Sequence, residues 1–221
     1  MADVLYQWPD AARVGSRVPK EKFYDQGSVS PQVRARFVSE VARITWAYKL
    51  ADATINLPDC EAVPEIQVFR LEAKDADVSD QVLTVIDKAI PTPIIFEVVR
   101  VTHGGSQARM VAAYKQPGSG APKLSQYLRT SWLDAALERQ PLPTAISLPT
   151  LYAALLEPMT NVEVRPGEAM SEVADRLRLV ASLEREIAVL ERKIKNEKQL
   201  NRKFELRRTL KSKQSQLEQQ R

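Results

Sequence analysis

From residue 168 onward, apolar positions return at helical intervals. Val173, Val180, Leu183, Ile187, Leu190 and Ile194 step by 7, 3, 4, 3 and 4, the spacing of a coiled-coil seam. Glu184, Arg185, Glu186, Glu191 and Arg192 flank it as solvated charges. Residues 168–221 contain neither proline nor glycine and are rich in Leu, Glu, Lys, Arg and Gln, so the segment reads as helix. Past Ile194 the apolar residues Leu200, Phe204, Leu206, Leu210 and Leu217 fall partly out of phase. Such a slip marks either a stutter in one continuous helix or a reversal into a hairpin. With no Gly or Pro near residues 195–200, the pattern favours the continuous helix. Helix pairing is assigned to Val180, Leu183, Ile187, Leu190 and Ile194.

Residues 1–165 show mixed periodicities. Ser30-Pro31 is a helix start, a capping hydroxyl followed by a proline whose missing N–H costs nothing in the first turn. Val33, Phe37, Val41, Ile44 and Tyr48 then step by 4, 4, 3 and 4, which predicts a helix over 31–49. Thr54 to Leu57 has the look of a short strand. Residues 64–73 alternate, with Ile66, Val68 and Arg70 on one side and Gln67 and Phe69 on the other. Residues 79–89 predict a helix burying Val82, Val85 and Ile86. A hairpin follows, with a β-branched run over 94–102, a turn at Gly104-Gly105 and a return over 109–115. Residues 123–132 suit a third strand or a helix, and 148–157 a last short helix. Strands adjacent in sequence point to an α+β fold: a small antiparallel or mixed sheet with packed helices, plus a long C-terminal α-helical coiled-coil arm. Pro166-Gly167 separates the two parts, giving a body over 1–165 and an arm over 166–221.

Composition changes this picture mainly through charge. The chain of 221 residues has a formal net charge of +4. Residues 168–221 hold 14 basic and 9 acidic residues, leaving the first 167 residues at −1. The basic residues concentrate between Arg192 and Lys213, where ten Lys and Arg face only Glu197 and Glu205. A helix so charged can follow a phosphate backbone. Lys195, Lys198, Arg202, Lys203, Arg207 and Arg208 are the candidate backbone contacts.

Other chemistry is thinly represented. One cysteine, Cys60, excludes a disulfide framework, and one histidine, His103, excludes paired-His metal sites. His103 beside a turn has neither nucleophile nor orienting carboxylate in its neighbourhood. Cys60 sits between Asp59 and Glu61, which oppose thiolate formation. Gln116-Pro117-Gly118-Ser119-Gly120 lacks the Gly-Lys-Ser/Thr ending of a phosphate loop and reads as an ordinary loop. Phe23, Tyr24, Trp46, Tyr48, Phe69 and Phe96 are scattered as core residues are. Glu97 and Lys115, across the hairpin, are expected to form an ordinary cross-strand ion pair. The one metal-dependent alternative is a nuclease in which Glu40, Glu65 and Gln67 supply ligands and orient water, since Glu65-Ile66-Gln67 has the spelling of a strand in restriction-endonuclease-like folds. Outside that alternative no metal and no cofactor is expected. With no signal-like start and no long apolar window, a cytoplasmic protein with no membrane association is expected.

Val18-Pro19-Lys20, Phe23-Tyr24, Trp46-Ala47-Tyr48-Lys49-Leu50, Thr54-Ile55-Asn56-Leu57, Glu65-Ile66-Gln67-Val68-Phe69, Ile86-Asp87-Lys88-Ala89-Ile90-Pro91, Phe96-Glu97, Ala113-Tyr114-Lys115 and Glu197-Lys198-Gln199-Leu200-Asn201-Arg202-Lys203-Phe204-Glu205-Leu206 resemble an uncharacterised bacterial family of unknown function. The resemblance runs from about residue 17 to 217. It implies a small protein with a C-terminal coiled coil, encoded near DNA methyltransferases and helicases of restriction and phage-defence loci. It brings no catalytic residue with it. The expectation is therefore a non-enzymatic accessory subunit. It would dock on a helicase- or methyltransferase-type partner or on a second copy, with its basic arm on nucleic acid. The alternatives are the metal-dependent nuclease and a homodimeric scaffold that binds no nucleic acid.

Overall fold

The computed structural model describes residues 4–25, 29–116, 123–160 and 170–220. The chain separates into two compact units, Met1–Met159 and Thr160–Arg221. The expected loop at 116–120 and the break at Pro166-Gly167 fall in or against stretches outside the described residues, as does the Tyr24 side chain. In chain order the first unit has a 3-10 turn (Asp10–Ala12), β1 (Arg13–Arg17), α1 (Glu21–Asp25), α2 (Pro31–Glu40), β2 (Val41–Ala51) and α3 (Asp52–Ile55). There follow β3 (Glu65–Ala73), α4 (Asp80–Ala89), β4 (Ile94–Thr102), β5 (Gly105–Gln116), β6 (Lys123–Arg129), β7 (Leu133–Asp134) and α5 (Leu148–Leu156). The second unit holds α6 (Met170–Asn196) and α7 (Leu200–Gln220).

The strands form one mixed sheet in the order β1-β2-β3-β4-β5-β6, with β7 beside β5. Only β3 and β4 run parallel, and the chain between them passes through α4. That is what a parallel pair requires, since a tight hairpin cannot join parallel strands. The β4–β5 hairpin turns on His103-Gly104, with Thr102 facing Gly105, one residue earlier than the glycine pair suggested.

One face of the sheet carries the main core. Ile44, Phe69, Leu71, Phe96, Val98 and Val111 meet Phe23, Phe37, Val82, Leu83 and Ile86 from α1, α2 and α4. Each such side chain contributes about 1.5–3 kcal/mol by leaving water. The other face is closed by the N-terminal segment and α5, where the Tyr152 hydroxyl donates to the Ala113 carbonyl at 3.0 Å. Serine side chains cap α2 and α5, whereas Ser79 at the head of α4 makes no side-chain capping bond. The Ser30 hydroxyl accepts from Val33 N–H, and Ser147 and Thr150 exchange bonds at the head of α5.

Three expectations are corrected. The helix over 31–49 ends at Glu40, and Val41–Ala51 is a strand paired on both sides. Its Val, Ile, Thr, Trp and Tyr content suits a pleated, half-buried surface. The helical step from Val41 to Ile44 arises because the ladder to β3 slips between Val41 and Arg43, leaving Ala42 as an extra residue, and a second slip between Trp46 and Tyr48 leaves Ala47 extra. Trp46 lies opposite Phe69 and Tyr48 opposite Val68, so the two aromatics stand on opposite faces. Residues 54–57 are not a strand. They hold the end of α3, which closes at Asn56 in the left-handed conformation with φ 53°. Glu97 and Lys115 do not pair: Glu97 binds Arg139, while Lys115 reaches the α4 side and meets Asp87 at 3.0 Å.

Candidate nucleic-acid interface

The arm is two helices rather than one. α6 and α7 lie antiparallel, as the Arg176 guanidinium bonded to the Gln220 carbonyl at 2.9 Å and the Glu186–Lys213 ion pair at 2.8 Å both show. The reversal needs no glycine or proline because Glu197 supplies what a cap supplies. Its Oε1 accepts the N–H groups of Lys198 and Gln199, each at 2.9 Å, satisfying donors exposed where the helix breaks. The Gln199 N–H bond, then that of Lys198 and the charges of Arg202 and Lys203, outweigh desolvation and hold the Glu197 carboxyl below its usual pKa.

The apolar seam is used within the chain. Val180 and Leu183 are buried, and Ile187, Leu190 and Ile194 are half-buried. On α7 the shielded positions are Lys203, Leu206, Leu210, Lys213, Leu217 and Gln220, again spaced by 3 and 4. Two of the inward positions on α7 are therefore lysines, which is why its apolar pattern alone looked out of phase. Lys213 reaches Glu186, and that hydrogen bond is the first cause of the lowered Glu186 pKa.

The reversal collects the expected contacts at one end of the hairpin. Lys195, Lys198, Arg202, Arg207 and Arg208 are exposed, and Lys203 is half-buried beside the seam. Arg202 approaches the Glu197 carboxylate at a loose 3.8 Å, and Lys203 acts on the same carboxylate through its charge. The other four have no ion pair among the described residues. Such charges are free to exchange water for phosphate. Phe204, one of the apolar residues out of phase with the seam, points outward, 58% exposed. Its exposure follows from register: with Leu206 and Leu210 inward, position 204 falls on the outer face. An exposed aromatic among guanidinium groups is a stacking surface for unpaired bases.

Of the three nuclease candidates, Glu65 and Gln67 are brought together but Glu40 is not. Glu40 ends α2, accepting from Arg36 Nη1 at 2.9 Å and from the Ser79 N–H at 2.8 Å. Burial works to raise its pKa, but the Ser79 and Arg36 bonds prevail and lower it. Glu65 starts β3 and pairs with Lys49 at 2.5 Å. Because Val41 faces Ala73 while Ala51 faces Glu65, Glu40 and Glu65 stand at opposite ends of a paired strand. At strand rise that is a separation of about 30 Å. Gln67 is engaged by both neighbours, accepting from the Trp46 indole and donating to Glu65, each at 2.6 Å. Among the described residues no group of three His, Cys, Asp or Glu is placed to hold a metal ion. His103 and Cys60 are exposed. No helix of the described residues is long and apolar enough to cross a membrane.

Fold and arm define a mixed α+β protein carrying a basic helical hairpin. The chain belongs to the family described as a domain of unknown function, DUF4391, whose model matches residues 7–217. No curated protein and no solved structure matches it.

Proposed function

We propose that this chain is a non-enzymatic accessory subunit of a bacterial DNA-modification or phage-defence complex, holding nucleic-acid backbone at the end of its helical hairpin. The observation that carries this reading is the exposed, unpaired set Lys195, Lys198, Arg207 and Arg208 with Arg202 beside it. The large partner, of helicase or methyltransferase type, is what the family resemblance implies. Six phosphate contacts give a slope of log affinity against log salt of about −5 on duplex DNA. The test is fluorescence anisotropy with labelled duplex and single-stranded DNA between 50 and 300 mM salt. The triple variant R202E/R207E/R208E should bind at least about tenfold more weakly and lose roughly half of that slope. Circular dichroism should show its helix content unchanged. Phe204→Ala should weaken the single strand more than the duplex. A triple variant that binds DNA as the parent does at every salt concentration overturns the reading.

A homodimeric scaffold is the second reading. It is favoured by Leu179 and Val189, 46% and 48% exposed on α6. Sedimentation of the parent chain as a dimer that ignores DNA would select it.

A further inference from the structure

A cavity of about 420 Å³ opens on the sheet face away from α2 and α4. It is built by paired irregularities in neighbouring strands. β1 slips against β2 between Arg13 and Ser16, where Gly15 takes φ 69°, and β2 slips against β3 at Ala47. Gly15 and Ala47 both line the cavity, and the second slip is what turns Tyr48 into it. Bulges re-aim side chains in this way and recur beside functional sites.

Inside, one set of polar groups is already satisfied. Glu97 accepts both arms of Arg139 at 2.8 Å and the Trp8 indole at 3.3 Å. Arg139 also donates to the Tyr6 carbonyl at 2.9 Å. Arg13 and Arg70 are different. Both residues line the cavity and are exposed, and neither makes a hydrogen bond or ion pair among the described residues. Arg70 lies between Thr45 on β2 and Glu97 on β4, and its charge helps lower the Glu97 pKa although Arg139 and Trp8 hold the hydrogen bonds to that carboxylate. Arg13 folds over Gly15, its Nε 3.9 Å from where a β-carbon there would stand. Asp10 and Gln7 at the cavity wall supply acceptors.

We propose that this cavity binds a phosphorylated sugar, nucleoside monophosphates included. Two arginines without hydrogen-bond partners at one cavity mouth suit a phosphate dianion, whose three oxygens can each accept from such groups. The Asp10 carboxylate repels a second anionic group and accepts from sugar hydroxyls instead. The volume lies within the range of small-molecule sites. This site belongs to the body and is independent of the hairpin reading.

The test is isothermal titration of the full chain with AMP, ribose 5-phosphate, inorganic phosphate and adenosine. AMP and ribose 5-phosphate should bind, phosphate more weakly by at least tenfold, and adenosine not at all. R13Q and R70Q, both at exposed positions, should each weaken AMP binding tenfold or more while the unfolding midpoint stays put. DNA affinity through the hairpin should be unchanged in both variants, which separates failure of this proposal from failure of the other. No heat with any of the four compounds overturns the proposal. So does adenosine binding as well as AMP, or R70Q binding AMP as the parent does.

Discussion

Lys115 shows how much one residue can hold in this fold. Its ammonium group donates to the carbonyls of Ile90 at 2.6 Å and Thr92 at 2.7 Å, just past the end of α4, and meets Asp87 at 3.0 Å. Asp87 in turn accepts from the Tyr127 hydroxyl at 2.5 Å. Burial pushes the Lys115 pKa down and the Asp87 pKa up, with their mutual attraction opposing both shifts. Lys115→Met therefore leaves a buried carboxyl group and two carbonyls without their cation, and should cost about 3–5 kcal/mol in denaturant unfolding. The double variant Lys115→Met/Asp87→Leu should recover most of that loss. A single variant as stable as the parent would show that the pair contributes nothing. None of this was legible in the sequence, where Lys115 stands closer to Glu97 than to Asp87. The register of β5 and the crossing of α4 decide the partner, and both are tertiary facts.

Among the elements, β3, α4, β4, β5 and α5 declared themselves, as apolar or β-branched runs or an apolar stripe bounded by turn residues. β2 did not, because the extra residue at Ala42 sets Val41 and Ile44 on one face at a step of three, which imitates a helix, and a second extra residue follows at Ala47. The same residue sets the faces beyond it: Tyr48 and Leu50 lie opposite Val68 and Ile66, while Lys49 lies opposite Gln67. Removing Ala47 would put Leu50, now buried, on the other face. Deletion of Ala47 should therefore cost several kcal/mol in thermal or denaturant unfolding, whereas Ala47→Gly should cost about 1 kcal/mol or less. Equal stabilities for the two variants would refute a register role. The hairpin between α6 and α7 was hidden for a related reason. Its break is made by the side chain of Glu197, and no breaker residue marks it.

At the scale of the molecule, the two parts of the chain differ in charge. The first 167 residues are close to neutral and the remainder is basic, so truncation separates the two. A chain ending at Met159 keeps the whole sheet and the core around Phe37 and Phe96, and should unfold cooperatively while losing salt-dependent DNA binding. Persistence of that binding, or a chain that no longer folds, would contradict the division. The candidate contacts were legible as a charge run, because composition alone reveals it. Their gathering at one end was not, since that depends on where the helix turns back.

That turn has a consequence for charge spacing. Residues Arg192 to Glu205 carry six basic and two acidic side chains, a net of +4. Drawn out as one straight helix they would span about 21 Å, one net charge every 5 Å or so. Doubled back at Glu197, the two limbs share about 10 Å of axis, so a net charge recurs roughly every 2.5 Å. Duplex DNA carries a phosphate about every 1.7 Å of its axis. The reversal thus brings the protein's linear charge density to within a factor of two of the polymer it is proposed to grip, without adding a single basic residue.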